Sequence, residues 1–459
     1  MKCPTKAIER IQVRRLFGMY DYVLCPSAQA SAPERLIVLY GDNGSGKTTI
    51  LRTLFHLLAP EGNEGHKTAV GEVQFQRFGV NLTSGDQIWA ERPAGKTTGT
   101  FRMGLKVPRK KEVTIEFAQS PDGSFKSTSR KHDVRIKSFL SKLRQVGIGL
   151  YFLSDDRAVR LAGRDKELVS MSRREMLDEE LLFYHDQPRA TARMRRTLSP
   201  QERSQRLLLE SLKRAEMWIQ SQTVRGASEG ESSVNTLYAE ILKRIATEPV
   251  DSPAQASAMK KIKTRCRLLE RRSREYAQYG LLPEFSGRAI VKVMKSAPPT
   301  HAGIIVNVIM PYMDSVEKKL DAMERIQRQI DAIVSIVNSF FARKRISFDI
   351  HKGFQVMTAA GTPLMPQMLS SGERHLLLLF CNTLIALNRP SIFIIDEPEI
   401  SLNIKWQRRL IDALLECAGK NPVQYVLATH SFELLAQHSK NTIKLAETAE
   451  KSNGSKTKA

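Results

Sequence analysis

Leu36-Ile-Val-Leu-Tyr-Gly-Asp-Asn-Gly-Ser-Gly-Lys-Thr48 joins an apolar strand, a glycine-rich turn and the start of a helical run, TILRTLFHLL, ending at Leu58. The turn, Gly41 to Thr48, has the G-x-x-x-x-G-K-[ST] spacing in the strand-to-helix context that a phosphate-binding loop requires. Gly41, Gly44 and Gly46 allow the backbone to curl so that successive N–H groups converge, and the helix N-terminus adds the positive end of its dipole. Asp42, Asn43 and Ser45 complete the loop, and Thr49 follows it. The pattern predicts that Lys47 reaches the β and γ phosphates of ATP and that the Thr48 hydroxyl ligates Mg2+.

A triphosphate loop needs carboxylates for metal and water, and Ser391 to Glu399, SIFIIDEPE, offers them. The unbroken apolar run Ile392 to Ile395 predicts a buried parallel strand. Asp396 at its end is the expected metal ligand and Glu397 the expected general base. About twenty residues upstream, Leu369-Ser-Ser-Gly-Glu373 opens the apolar helix ERHLLLLFCNTLIAL, where an N-cap serine followed by an acid explains the same letters structurally. Ser401-Leu-Asn403 and Ala428-Thr-His-Ser431 follow.

In order and spacing, LSSGE, IDEPE, SLN and ATHS resemble the signature loop, Walker B strand, D-loop and switch histidine of ABC-type ATPases. The form resembles the SMC, RecF and double-strand-break repair branch and the OLD-like ATPases of phage defence. The resemblance implies an α/β fold with an antiparallel first-lobe layer. It also implies that Ser370, Ser371, Gly372, Glu373 and Asn403 contact ATP held by a second subunit, that His430 contacts the γ-phosphate, and that ATP joins two heads. Ser371 stands where the family usually has the first glycine of LSGGE. The best match to the family's Q-loop, Phe152 to Arg157 (FLSDDR), contains no glutamine, which leaves Asp155 or Arg157 for that role.

The motifs divide between two half-heads. Residues 1–156 are expected to form an N-terminal lobe, 157–345 a helical insert, 346–445 a C-terminal lobe and 446–459 a disordered tail. Strands are expected at Leu36–Tyr40, Val113–Phe117 and Ile148–Leu153. In the insert's last helix Val316, Leu320, Met323, Ile330, Ile333, Val337 and Phe340 form a stripe suited to packing on another helix.

Across 459 residues the formal net charge is +23. Such an excess predicts attraction to a polyanion, be it nucleic acid, an anionic membrane or an acidic protein. Residues 160–345 hold 34 basic and 23 acidic side chains, so both parts of the chain share the excess. Clusters occur at Arg189, Arg193, Arg195 and Arg196; at Lys260, Lys263, Arg267 and Arg271 with their basic neighbours; and at Arg102, Lys106, Arg109, Lys110 and Lys111. Five scattered cysteines without a C-x-x-C pair argue against a zinc site or disulfide framework and suit a reducing cytoplasm. No apolar run has the length of a membrane helix.

Only 29 residues follow His430, too few for the Toprim nuclease carried by many OLD-like proteins, so a nuclease effector is expected on a separate chain. The chain is similar to the ATPase subunits of the PARIS anti-phage systems. That likeness implies an oligomeric sensor that detects an acidic DNA-mimicking phage protein and controls a Toprim-type partner. A RecF-type DNA-repair ATPase and a Septu-type ATPase paired with an HNH nuclease are the alternatives.

Overall fold

A computed structural model of the chain describes residues 6–25, 35–61, 65–121, 123–127, 132–157, 159–162, 200–230, 234–247, 255–298, 301–387 and 389–445. The expected tail and the cluster at Arg189, Arg193, Arg195 and Arg196 lie outside them. The chain divides into two compact units, residues 1–211 with 369–459, and residues 212–368.

In the first unit, strands β1 (Ile8–Leu16) and β2 (Tyr20–Leu24) form a hairpin, and β3 (Leu36–Tyr40) leads into α1 (Lys47–Leu58). After α2 (His66–Glu72) come β4 (Arg77–Leu82), β5 (Gln87–Glu91), β6 (Phe101–Lys106), β7 (Val113–Gln119) and β8 (Phe125–Ser127). They extend the hairpin into a seven-stranded antiparallel sheet of order β2-β1-β4-β5-β6-β7-β8. Helix α3 (His132–Val146) then precedes β9 (Gly149–Leu153) and β10 (Val159–Ala162).

The second unit takes most of α4 (Pro200–Gly230), then α5 (Val234–Thr247), α6 (Gln255–Ala277), α7 (Gly287–Ser296) and the 39-residue α8 (Ala302–Phe340). Strands β11 (Lys344–Asp349), β12 (Gly353–Thr358) and β13 (Pro363–Leu364) form a small antiparallel sheet in the same unit. Leu320, Met323, Ile330, Ile333, Val337 and Phe340 of the α8 stripe are buried, and α8 packs against α5 and α6. The chain returns to the first unit with α9 (Ser371–Ala386), β14 (Ser391–Asp396), α10 (Ile404–Ala418), β15 (Val423–Thr429), α11 (Phe432–Ala436) and β16 (Thr442–Lys444).

The second sheet of the first unit has the order β10-β9-β14-β15-β3-β16 and is parallel except for β10. Its central strands are apolar because helices cover one face while α1 covers the other. The period of two sorts them: Ile37, Leu39, Ile392, Ile394, Val426 and Ala428 share one core cluster with Ile50, Leu51 and Leu54 of α1. Tyr425 points the opposite way, and its hydroxyl donates to the Leu414 carbonyl of α10 at 3.1 Å. That cluster also takes in Ile11, Phe78 and Val80 of the antiparallel sheet, so α1 lies between two sheets. The fold is α/β, with the phosphate-loop helix at the centre of its larger core.

Candidate functional site

Register places the carboxyl ends of the parallel strands together. Asp396 pairs with Ala428, Thr429 with Tyr40, and Ile395 with Leu153. In open α/β sheets this edge carries the ligand crevice. The segments after β3, β9, β14 and β15 therefore converge there, and they contain the glycine-rich turn, FLSDDR, the DEPE segment and His430.

The turn ends at Gly46, in the left-handed region at φ 90°, and Lys47 opens α1. The buried Tyr22 hydroxyl donates to the Ser45 carbonyl at 3.0 Å and fixes the outer curve. Lys47 is only 5% exposed. Its ammonium folds back onto the loop, donating to the carbonyls of Gly41 (2.8 Å) and Asp42 (3.1 Å), with His430 Nδ1 at 3.5 Å. Burial depresses its pKa from the usual lysine range, against the raising influence of Glu397, Asp396, Asp42 and Glu399.

Asp396 is 1% exposed, and among the described residues its carboxylate has no hydrogen-bond partner other than the neighbouring Thr48 hydroxyl. Burial raises its pKa, and Asp155 adds to this; the Thr48 hydroxyl, Arg52 and Lys47 act the other way. A buried carboxylate with so few hydrogen-bond donors is costly unless it is protonated or meets a cation. With Thr48 as an oxygen neighbour, the donor set fits a hard divalent cation.

Glu397 adopts φ 51°, and its N–H donates to the Ala428 carbonyl at 2.9 Å. This left-handed backbone projects its side chain to His430, with Nε2 3.2 Å from Oε1. Burial first, then the carboxyls of Glu399 and Asp396, push the Glu397 pKa up to about 8. Burial first, then Lys47, lowers that of His430. Burial therefore favours the uncharged form of both side chains where they face one another.

Glu399 escaped the sequence reading. Its Oε1 accepts from the Thr429 hydroxyl (2.6 Å), the His430 N–H (2.9 Å) and the Ser431 N–H (3.1 Å). One carboxylate thus ties the turn after β14 to the turn after β15. The available signal was a second acid two residues beyond Glu397.

The LSSGE segment caps α9. The Ser370 hydroxyl accepts from the Glu373 N–H at 3.3 Å, and Glu373 accepts from the Ser370 N–H at 2.7 Å, a reciprocal capping box. Ser370 and Ser371 are exposed. A Cβ on Gly372 would lie 2.6 Å from the Ser401 carbonyl oxygen, so only glycine allows the two loops to touch. Asn403 caps α10, accepting from the Trp406 N–H at 3.0 Å. Asp155 pairs with Arg52 of α1 at 3.5 Å, and Arg157 donates to the Ser401 hydroxyl. FLSDDR therefore contacts both the phosphate-loop helix and the loop before α10.

Of the basic clusters, Arg102 pairs with Glu91, while Lys106, Arg109, Lys110 and Lys111 are exposed. Lys260, Arg267 and Arg271 are exposed and Lys263 is half-buried, all on α6 in the second unit.

The family described as "AAA domain, putative AbiEii toxin, Type IV TA system" matches residues 104–436. The chain belongs to this family. It therefore carries an ATPase domain of the AAA type. The DNA double-strand break repair Rad50 ATPase of Sulfurisphaera tokodaii is 29% identical over 113 residues, covering 24% of this chain and 13% of that relative. The chain thus matches a small part of Rad50's length. Among solved structures, the Smc head domain with an extended coiled coil bound to the C-terminal domain of ScpA, from Pyrococcus furiosus, aligns with a TM-score of 0.37. Identity is 14%, over 96% of this chain and 94% of that one. The Smc head domain with a coiled coil and joint from Pyrococcus yayanosii gives the same TM-score and identity over 96% and 95%. Among the described residues, no helix is long and apolar enough to cross a membrane.

Proposed function

We propose that the chain binds and hydrolyses ATP with Mg2+ at the carboxyl edge of its parallel sheet. The observation that carries this reading is the buried, under-satisfied Asp396 carboxylate beside the Thr48 hydroxyl, set against a buried Lys47 and a Glu397–His430 contact. In this reading the amides of Gly41 to Thr49 and the Lys47 ammonium hold the phosphates, and Thr48 and Asp396 hold the metal. The metal supplies charge neutralisation at the phosphates when bound. Glu397 acts in its ionised form, which a cation held at Asp396 would favour by offsetting the neighbouring carboxylate charge that raises its pKa, and takes a proton from the attacking water, while His430 senses the terminal phosphate.

The exposed serines of LSSGE support a further step, in which Ser370, Ser371, Gly372, Glu373 and Asn403 meet the nucleotide of a second copy, giving an ATP-dependent homo-oligomer. The membership in a toxin–antitoxin-type family and the basic surface support a sensor or scaffold of anti-phage defence, similar to the PARIS ATPase subunit. Such a subunit recognises an acidic DNA-mimicking protein and controls a separate Toprim-type nuclease in the cytoplasm. The Rad50 similarity favours one other reading, a DNA-binding ATPase of the RecF repair type. A Septu-type pairing with an HNH nuclease would differ only in the effector.

The test is calorimetric titration of ATP into wild type and Lys47→Ala, with the mass of the assembly measured with and without ATP alongside the product of the neighbouring gene. Loss of ATP binding and of ATP-dependent mass in the variant is expected. Unchanged ATP affinity would remove the phosphate-loop assignment.

A further inference from the structure

The eight cations between Lys260 and Arg274 belong to two chemically different faces of α6. Arg265 and Arg272, seven residues apart, turn toward α8. Arg265 pairs with Asp314 at 2.6 Å and with Glu317, while Arg272 pairs with Asp321 at 2.6 Å and lies 3.8 Å from Glu324. That face is neutralised inside the unit and fixes how the two helices lie.

The other face carries Arg267, Arg271 and Arg274, at spacings of four and three residues. Across a groove of about 630 Å³, α7 presents Arg288, Lys292 and Lys295 at the same spacings. At 1.5 Å rise per residue, each row places its cations about 6 and 4.5 Å apart along the helix. Two acids temper the rows. Glu270 lies 3.0 Å from Arg274 and 3.5 Å from Arg288, and Glu284 lies 2.6 Å from Arg274. Arg267, Arg271, Lys292 and Lys295 have no ion-pair partner among the described residues and are exposed.

We infer that this groove takes the phosphodiester backbone of a nucleic-acid duplex. Two matched rows of three cations, four of the six without an ion-pair partner among the described residues, supply what a phosphate backbone needs, charge at short regular intervals without base readout. No aromatic side chain lines the groove, so it lacks the stacking platform on which single strands are held. Among the described residues Val291 and Cys266 are the only apolar side chains that line it, and Cys266 is buried, so the groove offers no large apolar anchor of the kind a folded protein interface uses. The inference goes beyond the nucleotide reading and stands without it, because every cation of the groove lies on α6 or α7.

The test is fluorescence anisotropy of a labelled DNA duplex with the full chain, without ATP, between about 50 and 200 mM salt. Each neutralised phosphate contributes about −0.9 to the slope of log affinity against log salt, so four unpaired cations predict a slope of about −3.6 from the groove. Arg271→Gln with Lys292→Gln should flatten the slope by about 2 and weaken binding at least tenfold, with ATP affinity and helicity unchanged. Arg109→Gln with Lys110→Gln, the charge-matched control, should leave most of the slope. Equal flattening in the control would overturn the inference, since net charge alone would then suffice. Groove-dependent binding of poly-glutamate in the absence of duplex binding would overturn it in favour of an acidic protein.

Discussion

Replacing Glu397 with glutamine should stabilise the nucleotide-free protein at neutral and alkaline pH. In the folded chain the Glu397 carboxyl holds its proton up to about pH 8, against an ordinary value of 4.5, because it is buried next to Glu399 and Asp396. The unfolded chain gives up that proton near pH 4.5, so between 4.5 and 8 the folded state binds more protons and stability falls as pH rises. Below 4.5 the contribution is fully present; above 8 it is gone. Each tenfold change in proton affinity is worth about 1.4 kcal/mol, which sets an upper bound of about 5 kcal/mol. Hydration of a side chain that is 18% exposed brings the expected figure to about 2–3 kcal/mol. Glutamine cannot ionise and can still hydrogen-bond His430. Urea midpoints of wild type and Glu397→Gln should therefore converge near pH 4.5 and separate steadily toward pH 8.5, the variant being the more stable. A constant difference across that range would refute the argument, because it would mean that Glu397 is already ionised in the folded state. The same variant should hydrolyse ATP slower by orders of magnitude while still binding it, if Glu397 is the base.

Two further substitutions test the loops around this carboxyl. Gly372→Ala puts a methyl 2.6 Å from the Ser401 carbonyl, and should reduce kcat about tenfold or more with ATP affinity preserved, measured by steady-state hydrolysis and calorimetry. Glu399→Ala strips the acceptor from three donors and should cost about 2–4 kcal/mol in chemical denaturation; Glu399→Gln, which keeps one acceptor oxygen, should recover about half.

What was legible in the sequence is what is local. The strand, turn and helix from Leu36 to Leu58 are contiguous, and the unbroken run Ile392 to Ile395 has no polar face to offer water, so parallel burial follows from the letters. The S-x-x-E pattern at Ser370 likewise announces a cap that the structure contains. Glu399 stayed hidden because its partners lie thirty residues away on another strand, and a carboxylate after a proline reads as ordinary solvated charge. The basic run on α6 was visible as a run, but its division depended on α8. The spacing held a partial signal: Arg265 and Arg272 stand two helical turns apart, off the row of Arg267, Arg271 and Arg274, yet the carboxylates that neutralise them come some fifty residues later.

The strand order has a consequence for biosynthesis. β3, which delivers the glycine-rich turn, is flanked by β15 and β16 and by no strand that precedes it. When Tyr40 leaves the ribosome, its edge bonds have no acceptor until Val423 to Thr429 emerge. At about 5–20 residues per second that interval is on the order of 20–80 s. The nascent chain must carry an unmatched apolar strand through the translation of the whole helical unit, so the nucleotide crevice is among the last parts of the molecule to exist.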